Sequence, residues 1–199
     1  VFMSDQITAQ LDELKAKVLS CQACRLRAGC QQVVFGEGQP GLMVIGEGPG
    51  ADEDRLGRPF VGAAGQLLDK ILAAGGFKRE DNAYIANVVK CRPPGNRLPS
   101  TEESAACLPY LHEQIQILQP KIILLLGATA LRSVLQSTEG ITKLRGKWQE
   151  QEGILYMPTF HPAALLRDPR RKPAVWEDIQ EIVKKYRELV DPKHYSPYC

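Results

Sequence analysis

The sequence predicts an α/β protein, a three-layer α/β/α sandwich around a central four-stranded, mainly parallel sheet. Three observations carry that expectation. Apolar runs of strand length alternate along the chain with stretches patterned at helical spacing. One of them, KIILLLG at 121–127, is continuously apolar after its opening lysine, as a strand covered on both faces must be. The clusters that stand out chemically each follow the end of such a run, where open α/β sheets gather their ligands.

Each element has its own reason. Residues 4–19 read as an amphipathic helix, with Ser4 placed to cap it and Ile7, Leu11, Leu14 and Val18 recurring at steps of four and three. That helix delivers the chain to Cys21. LMVIGE (42–47) is the first strand, AGQLLDKILAAGG (64–76) a helix closed by glycine, and AYIANVV (83–89) the second strand. Ser100 and Glu103 form a capping box that opens a helix running toward Leu118, and Pro109 predicts an irregularity within it. The third strand is followed by the helix ATALRSVLQ (128–136), and the fourth strand, ILYMPTF (154–160), ends at His161. The last helix begins near Pro173 and aligns Trp176, Ile179, Val183, Tyr186 and Val190 on one face. No repeat, low-complexity tract or linker interrupts this order, so residues 1–199 are expected to form one domain, with 1–3 set aside as start or cloning residues.

Composition bounds the function. A chain of 199 residues, 44% hydrophobic and 24% charged, has room for one sizeable core. No stretch approaches the ~18 apolar residues of a membrane span, and no signal-peptide pattern opens the chain, so a cytoplasmic protein that does not engage membranes is expected. The net charge of +2 does not by itself announce a nucleic-acid partner. Six cysteines in a reducing compartment read as metal ligands or free thiols rather than disulfides.

The turn VIGEGPGADED (44–54) satisfies the dinucleotide pattern at Gly46, Gly48 and Ala51. In that fingerprint a helix starts at once and offers its N-terminus to a pyrophosphate, whereas here Pro49 and then Asp52, Glu53 and Asp54 follow, an acidic cluster that repels phosphate. A turn serving another ligand, or only the fold, remains. Cys21 and Cys24 form a CxxC, and Cys91 and Cys107 enclose fifteen residues. Four thiolates suit tetrahedral zinc or an iron–sulfur cluster equally at this spacing. Cys30 and Cys199 are read as free thiols.

Taken together, GEGPGADEDRLGRPFVGAAGQLLD, NVVKCRPPGNR and HPAALLRDP resemble, in order and over nearly the whole chain, the motifs of the family 4 uracil-DNA glycosylases, which carry a [4Fe–4S] cluster. The resemblance implies that Cys21, Cys24, Cys91 and Cys107 are the cluster ligands. It implies an enzyme that flips uracil out of single- or double-stranded DNA and hydrolyses its N-glycosidic bond, leaving an abasic site and free uracil as base excision repair begins. Phe60 then resembles the ring that stacks on uracil, Asn87 the amide that accepts from N3–H and donates to O4, and His161 the donor to O2 as charge develops on the departing base. Gly46 and Gly48 let the turn's backbone approach the base, and Glu47 stands by the sugar to assist water or stabilise the cation. Other glycosylase families place an aspartate where this chain has Gly48.

HPAALLRDPRRK resembles the loop that wedges into the duplex, with Leu165 and Leu166 inserting and Arg167, Arg170 and Arg171 meeting phosphates. Arg92, Arg97, Lys143, Arg145 and Lys147 extend the basic face. No lysine in the pocket motifs is placed for a Schiff base, so a monofunctional, monomeric glycosylase is expected. Two alternatives stand beside it. A product-trapping relative would carry a basic, histidine-containing insertion after the second strand, and VVKCRPPGNRLPSTEE has none. A metal-stapled nucleic-acid module without catalysis would use the turn and His161 structurally only.

Overall fold

The computed structural model describes residues 3–199. The chain starts with helix α1 (Asp5–Leu19), capped by Ser4, and a turn of helix α2 (Leu26–Gly29), then strands β1 (Glu37–Gly38) and β2 (Leu42–Gly46). Helices α3 (Ala51–Leu56) and α4 (Ala63–Ala74) lead to β3 (Ala83–Asn87). Next come α5 (Thr101–Leu118), β4 (Ile122–Leu126), α6 (Gly127–Leu135) and α7 (Ile141–Leu144). Strands β5 (Gln149–Gln151) and β6 (Ile154–Thr159), then α8 (Pro162–Arg167) and α9 (Lys172–Leu189), complete it.

The sheet order is β1-β3-β2-β4-β6-β5. The inner four strands are the four predicted ones and all pair in parallel. The expected four-stranded sheet is therefore extended to six by β1 and β5, short antiparallel edge strands of two and three residues. Such strands are too brief to leave a period-two pattern, and by their shortness they blunt the sheet's edges.

Alternation along the inner strands divides the core in two. Met43 and Ile45 of β2 and Ile123 and Leu125 of β4 face α1, α5 and α6, while Leu42, Val44, Ile122 and Leu124 face α4 and α9. That is the three-layer sandwich. Pro109 does not break α5, which runs unbroken through it, although a proline there removes one helix donor. Two further elements depart from expectation. A six-residue helix does start at Ala51, directly after the glycine turn, and the HPAALLRDP segment is largely the helix α8, with His161 as its N-cap and Pro162 at its first position. No helix among the described residues is long and apolar enough to cross a membrane.

Candidate active site

The inner strands run in parallel, so their carboxyl ends open on one side of the sheet. Gly46 closes β2 and stands in register with Asn87, which closes β3, and the pairing continues as Val88 N–H donates to Gly46 O at 2.9 Å and Val89 N–H to Glu47 O at 3.1 Å. The end of β6 delivers His161. A cleft of about 340 Å³ lies across these ends, lined by Glu47, Gly48, Phe60, Asn87 and His161, with Pro93, Asn96 and Arg97 at its rim. Residues far apart in the chain thus line one cleft.

The turn has no room for a side chain at position 46 or 48. A Cβ on Gly46 would stand 2.4 Å from Phe60 Cζ and 2.6 Å from Asn87 Oδ1, and one on Gly48 would stand 2.7 Å from Val89 Cγ2. Acidic residues that follow are occupied with backbone. Glu53 Oε1 accepts from Gly50 N–H at 3.1 Å, and buried Asp54 accepts from Gln31 N–H at 2.8 Å and Gln32 N–H at 3.2 Å. The N-terminus of α3 is therefore already served by carboxylate, which removes the phosphate site that a dinucleotide fold would need.

Asn87 is buried to 1% exposure, and its Oδ1 is the one buried side-chain polar atom among the described residues that lacks a hydrogen-bond partner. Leaving a buried acceptor unpaired costs about 1–3 kcal/mol. The unpaired atom stands at the wall of the cleft.

His161 Nδ1 accepts from Ala163 N–H at 3.1 Å. Burial, aided by the charge of Arg167, lowers its pKa from 6.5 to about 4. The ring is neutral at pH 7 with its proton on Nε2, a donor without charge. Phe60 lies beside it, ring centroids 5.6 Å apart and planes 32° off parallel. Glu47 Oε2 accepts from Thr129 Oγ1–H at 2.5 Å, across from the first turn of α6. Sequence reasoning missed Thr129, and nothing local in GATALRS marks it as the partner of a residue 82 positions earlier.

Lys90, in a motif that follows Asn87, is not a nucleophile facing the cleft. It is fully buried, its Nζ donates to Asn87 O at 2.9 Å and to Gln114 Oε1 at 2.6 Å, and burial lowers its pKa to about 8.

The predicted DNA face is only partly as expected. Leu166 is 49% exposed, but Leu165 is 1% exposed and packs in the core on the α4 and α9 side of the sheet, so Leu165 is withdrawn from the expected wedge. In a helix, neighbouring positions point in different directions, which a loop reading ignores. Arg170 and Arg171 pair with Asp168 at 2.8 and 3.4 Å, and the Arg171 guanidinium sits 4.8 Å over the Phe160 ring. Arg167 ends α8 on the same segment, unshielded by any ion pair among the described residues. Arg145 is removed from the basic face, because it pairs with buried Asp178, as Arg97 does with Glu103 at 2.8 Å.

Cys21, Cys24, Cys91 and Cys107 line a second cavity with apolar Val18, Leu26, Val33 and Val89. Cys107 Sγ accepts from Lys90 N–H at 3.3 Å and Cys21 Sγ from Ala23 N–H at 3.4 Å. Burial raises the pKa of Cys91 and Cys107, so as free groups they stay thiols and thiolates there need a cationic partner. The sulfurs ring the cavity without converging: no three His, Cys, Asp or Glu side chains among the described residues are gathered around a single-ion site. Among the described residues no cysteine is in a disulfide, Cys30 and Cys199 included.

Comparison with known proteins agrees with this geometry. The model of the uracil DNA glycosylase superfamily matches residues 33–180. A type-4 uracil-DNA glycosylase of Sulfurisphaera tokodaii is 43% identical over 94% of this chain and 88% of its own length. Those of Thermotoga maritima and Pyrobaculum aerophilum are 45% and 41% identical, over 86% and 85% of this chain and 92% and 91% of theirs. On its fold, its motifs and these relatives, the chain belongs to the uracil-DNA glycosylase superfamily, within the type-4 branch.

Proposed function

We propose that this chain is a monofunctional uracil-DNA glycosylase whose reaction takes place in the cleft at the strand ends. The observation that carries this reading is the orphaned Asn87 Oδ1. Uracil extruded from DNA presents N3–H to that oxygen and O4 to the amide nitrogen, while cytosine presents an acceptor and a donor in the opposite order. The Phe60 ring underlies the base, and glycine at 46 leaves the Phe60 ring and the Asn87 amide the places they occupy against the turn.

As the bond from C1′ to N1 breaks, its electron pair stays with the base and charge spreads to O2. The neutral His161 Nε2–H donates to that oxygen, a stabiliser that needs no proton transfer. The sugar carbon left behind is cationic. Thr129 fills one oxygen of Glu47 and leaves the other to face the sugar, where it accepts a proton from the water whose oxygen bonds to C1′. That proton passes to solvent, and the departed uracil anion takes one from solvent to become neutral. The products are uracil and an abasic site, the starting point of base excision repair. Buried Lys90 forms no Schiff base, so strand cleavage is not part of the reaction.

Cys21, Cys24, Cys91 and Cys107 line one cavity and supply the four thiolates that a [4Fe–4S] cluster takes, the cofactor that the family resemblance implies. These four cysteines would hold a [4Fe–4S] cluster, whose iron–thiolate bonds would tie the segment after α1 to the exit of β3 and to α5. The four cysteines line a cavity separate from the cleft, so the group they would hold would serve the fold and not the hydrolysis. Arg167, Arg170, Arg171 and Leu166 are the proposed DNA contacts. The proposed working form is a monomer of one domain in the cytoplasm, a reducing setting that suits six free cysteines.

A uracil-containing oligonucleotide incubated with the protein, heated in alkali and run on a denaturing gel tests this function. Scission at the uracil position is expected. A protein-linked band indicates product trapping, an unchanged strand indicates a binding module, and either overturns the proposal.

A further inference from the structure

Phe60 has a backbone φ of +52°, a left-handed conformation that a bulky L residue rarely adopts. Its two flanking peptide groups are held by opposite charges. On the carbonyl side, one guanidinium reaches both oxygens: Arg79 Nη1 donates to Pro59 O and Nη2 to Phe60 O. On the amide side, one carboxylate oxygen takes both donors, Glu53 Oε2 accepting from Val61 N–H at 2.8 Å and Gly62 N–H at 2.7 Å. Glu53 Oε1 meanwhile holds Gly50 N–H, which couples the Phe60 loop to the glycine turn.

Arg79 is itself anchored, with Nε on Asp69 of α4 at 2.9 Å and Nη1 on Glu37 of the edge strand β1 at 3.1 Å, and its side chain is 12% exposed. It lies away from the cleft, on a groove with Leu56 and Lys78 behind the loop. The tip of the ring packs against the glycine turn, its Cζ occupying the space a Cβ on Gly46 would need.

We propose that Arg79 and Glu53 are positioning residues for uracil: together they enforce the left-handed turn that keeps the Phe60 ring flat beneath the base. This rests on the stacking role given to Phe60 above. Arginine suits the task because its planar fork serves two carbonyl oxygens at once, which a lysine ammonium on a flexible stem does not. Neither residue needs to touch uracil for its loss to be felt, because a shift of about 1 Å in a positioning group can cost up to about a hundredfold in rate.

The test is a double-mutant cycle on single-turnover cleavage of a uracil oligonucleotide, with inhibition by free uracil as a second readout. Arg79→Ala and Arg79→Lys should each slow cleavage by roughly tenfold or more and weaken uracil inhibition in parallel. In a Phe60→Ala background the same changes should alter the rate by less than about twofold, because the group they position is gone. Glu53→Gln, which keeps the side chain's shape, should repeat the pattern and serves if Arg79 variants fold poorly. Equal losses in both backgrounds would mean general destabilisation and would overturn the proposal, as would an Arg79→Ala enzyme of wild-type rate and uracil inhibition. Phe60→Ala at wild-type rate would be a separate failure, of the stacking role itself, and would take the proposal with it.

Discussion

Acidification should expose the cost of burying His161. Its pKa is lowered from 6.5 to about 4, by burial first and the Arg167 charge second. In the unfolded chain the ring charges as pH falls through 6.5, whereas in the folded protein it stays neutral until about 4. Protons therefore favour the unfolded state across this window, and stability is full above pH 6.5, falls below it and levels off below 4. At about 1.4 kcal/mol per unit, the whole effect is about 3 kcal/mol, of which about 2 kcal/mol is lost by pH 5. Many carboxylates also titrate there, so the measurement is a difference. Urea unfolding of wild type and His161→Gln at pH 8, 6.5 and 5 should show the wild type losing about 2 kcal/mol more than the variant. The ring proton resonance missing from the variant should not shift between pH 8 and 5.5. Parallel stability profiles, or a ring titrating near 6.5, would refute both the buried neutral imidazole and its role as an uncharged donor to uracil O2.

Asn87→Ala should lower turnover on uracil by roughly tenfold to a hundredfold and narrow the preference over cytosine, measured as kcat/KM on matched oligonucleotides, because the buried acceptor and its paired donor are both removed. Cys91→Ala should reduce iron and sulfide content and lower the melting temperature, and wild-type metal content with unchanged melting would contradict its ligand role. The neighbouring leucines should separate cleanly: Leu165→Ala should destabilise by about 2–5 kcal/mol in chemical denaturation, whereas Leu166→Ala should leave stability within about 0.5 kcal/mol and slow cleavage of duplex more than of single-stranded uracil DNA.

Which parts of the site were readable follows from how far apart in the chain its interactions reach. Asn87 and His161 were legible because each stands at a strand end, and parallel strands bring all such ends to one side, whereas Phe60, in the loop between α3 and α4, was legible only through the GRPFVG motif. Their partners were not. Thr129 joins Glu47 across 82 positions and Arg79 joins Phe60 across 19, and neither has a local pattern that names its mate. The assignments at 165–171 slipped for a different reason. The histidine–proline pair that looked like a loop is an N-cap and first helical residue, and a helix sends consecutive leucines to different sides.

The chain's pattern alone determined the layering, since apolar runs buried on both faces leave a parallel sheet no stable place except between helices. It also determined which residue types stand where the strands finish. Tertiary structure decided the rest: which leucine reaches solvent, which arginines are spent on buried acids, and how a left-handed phenylalanine is held. Those outcomes depend on charges and hydrogen bonds between segments that meet only after the chain has folded, and local sequence carries no record of them.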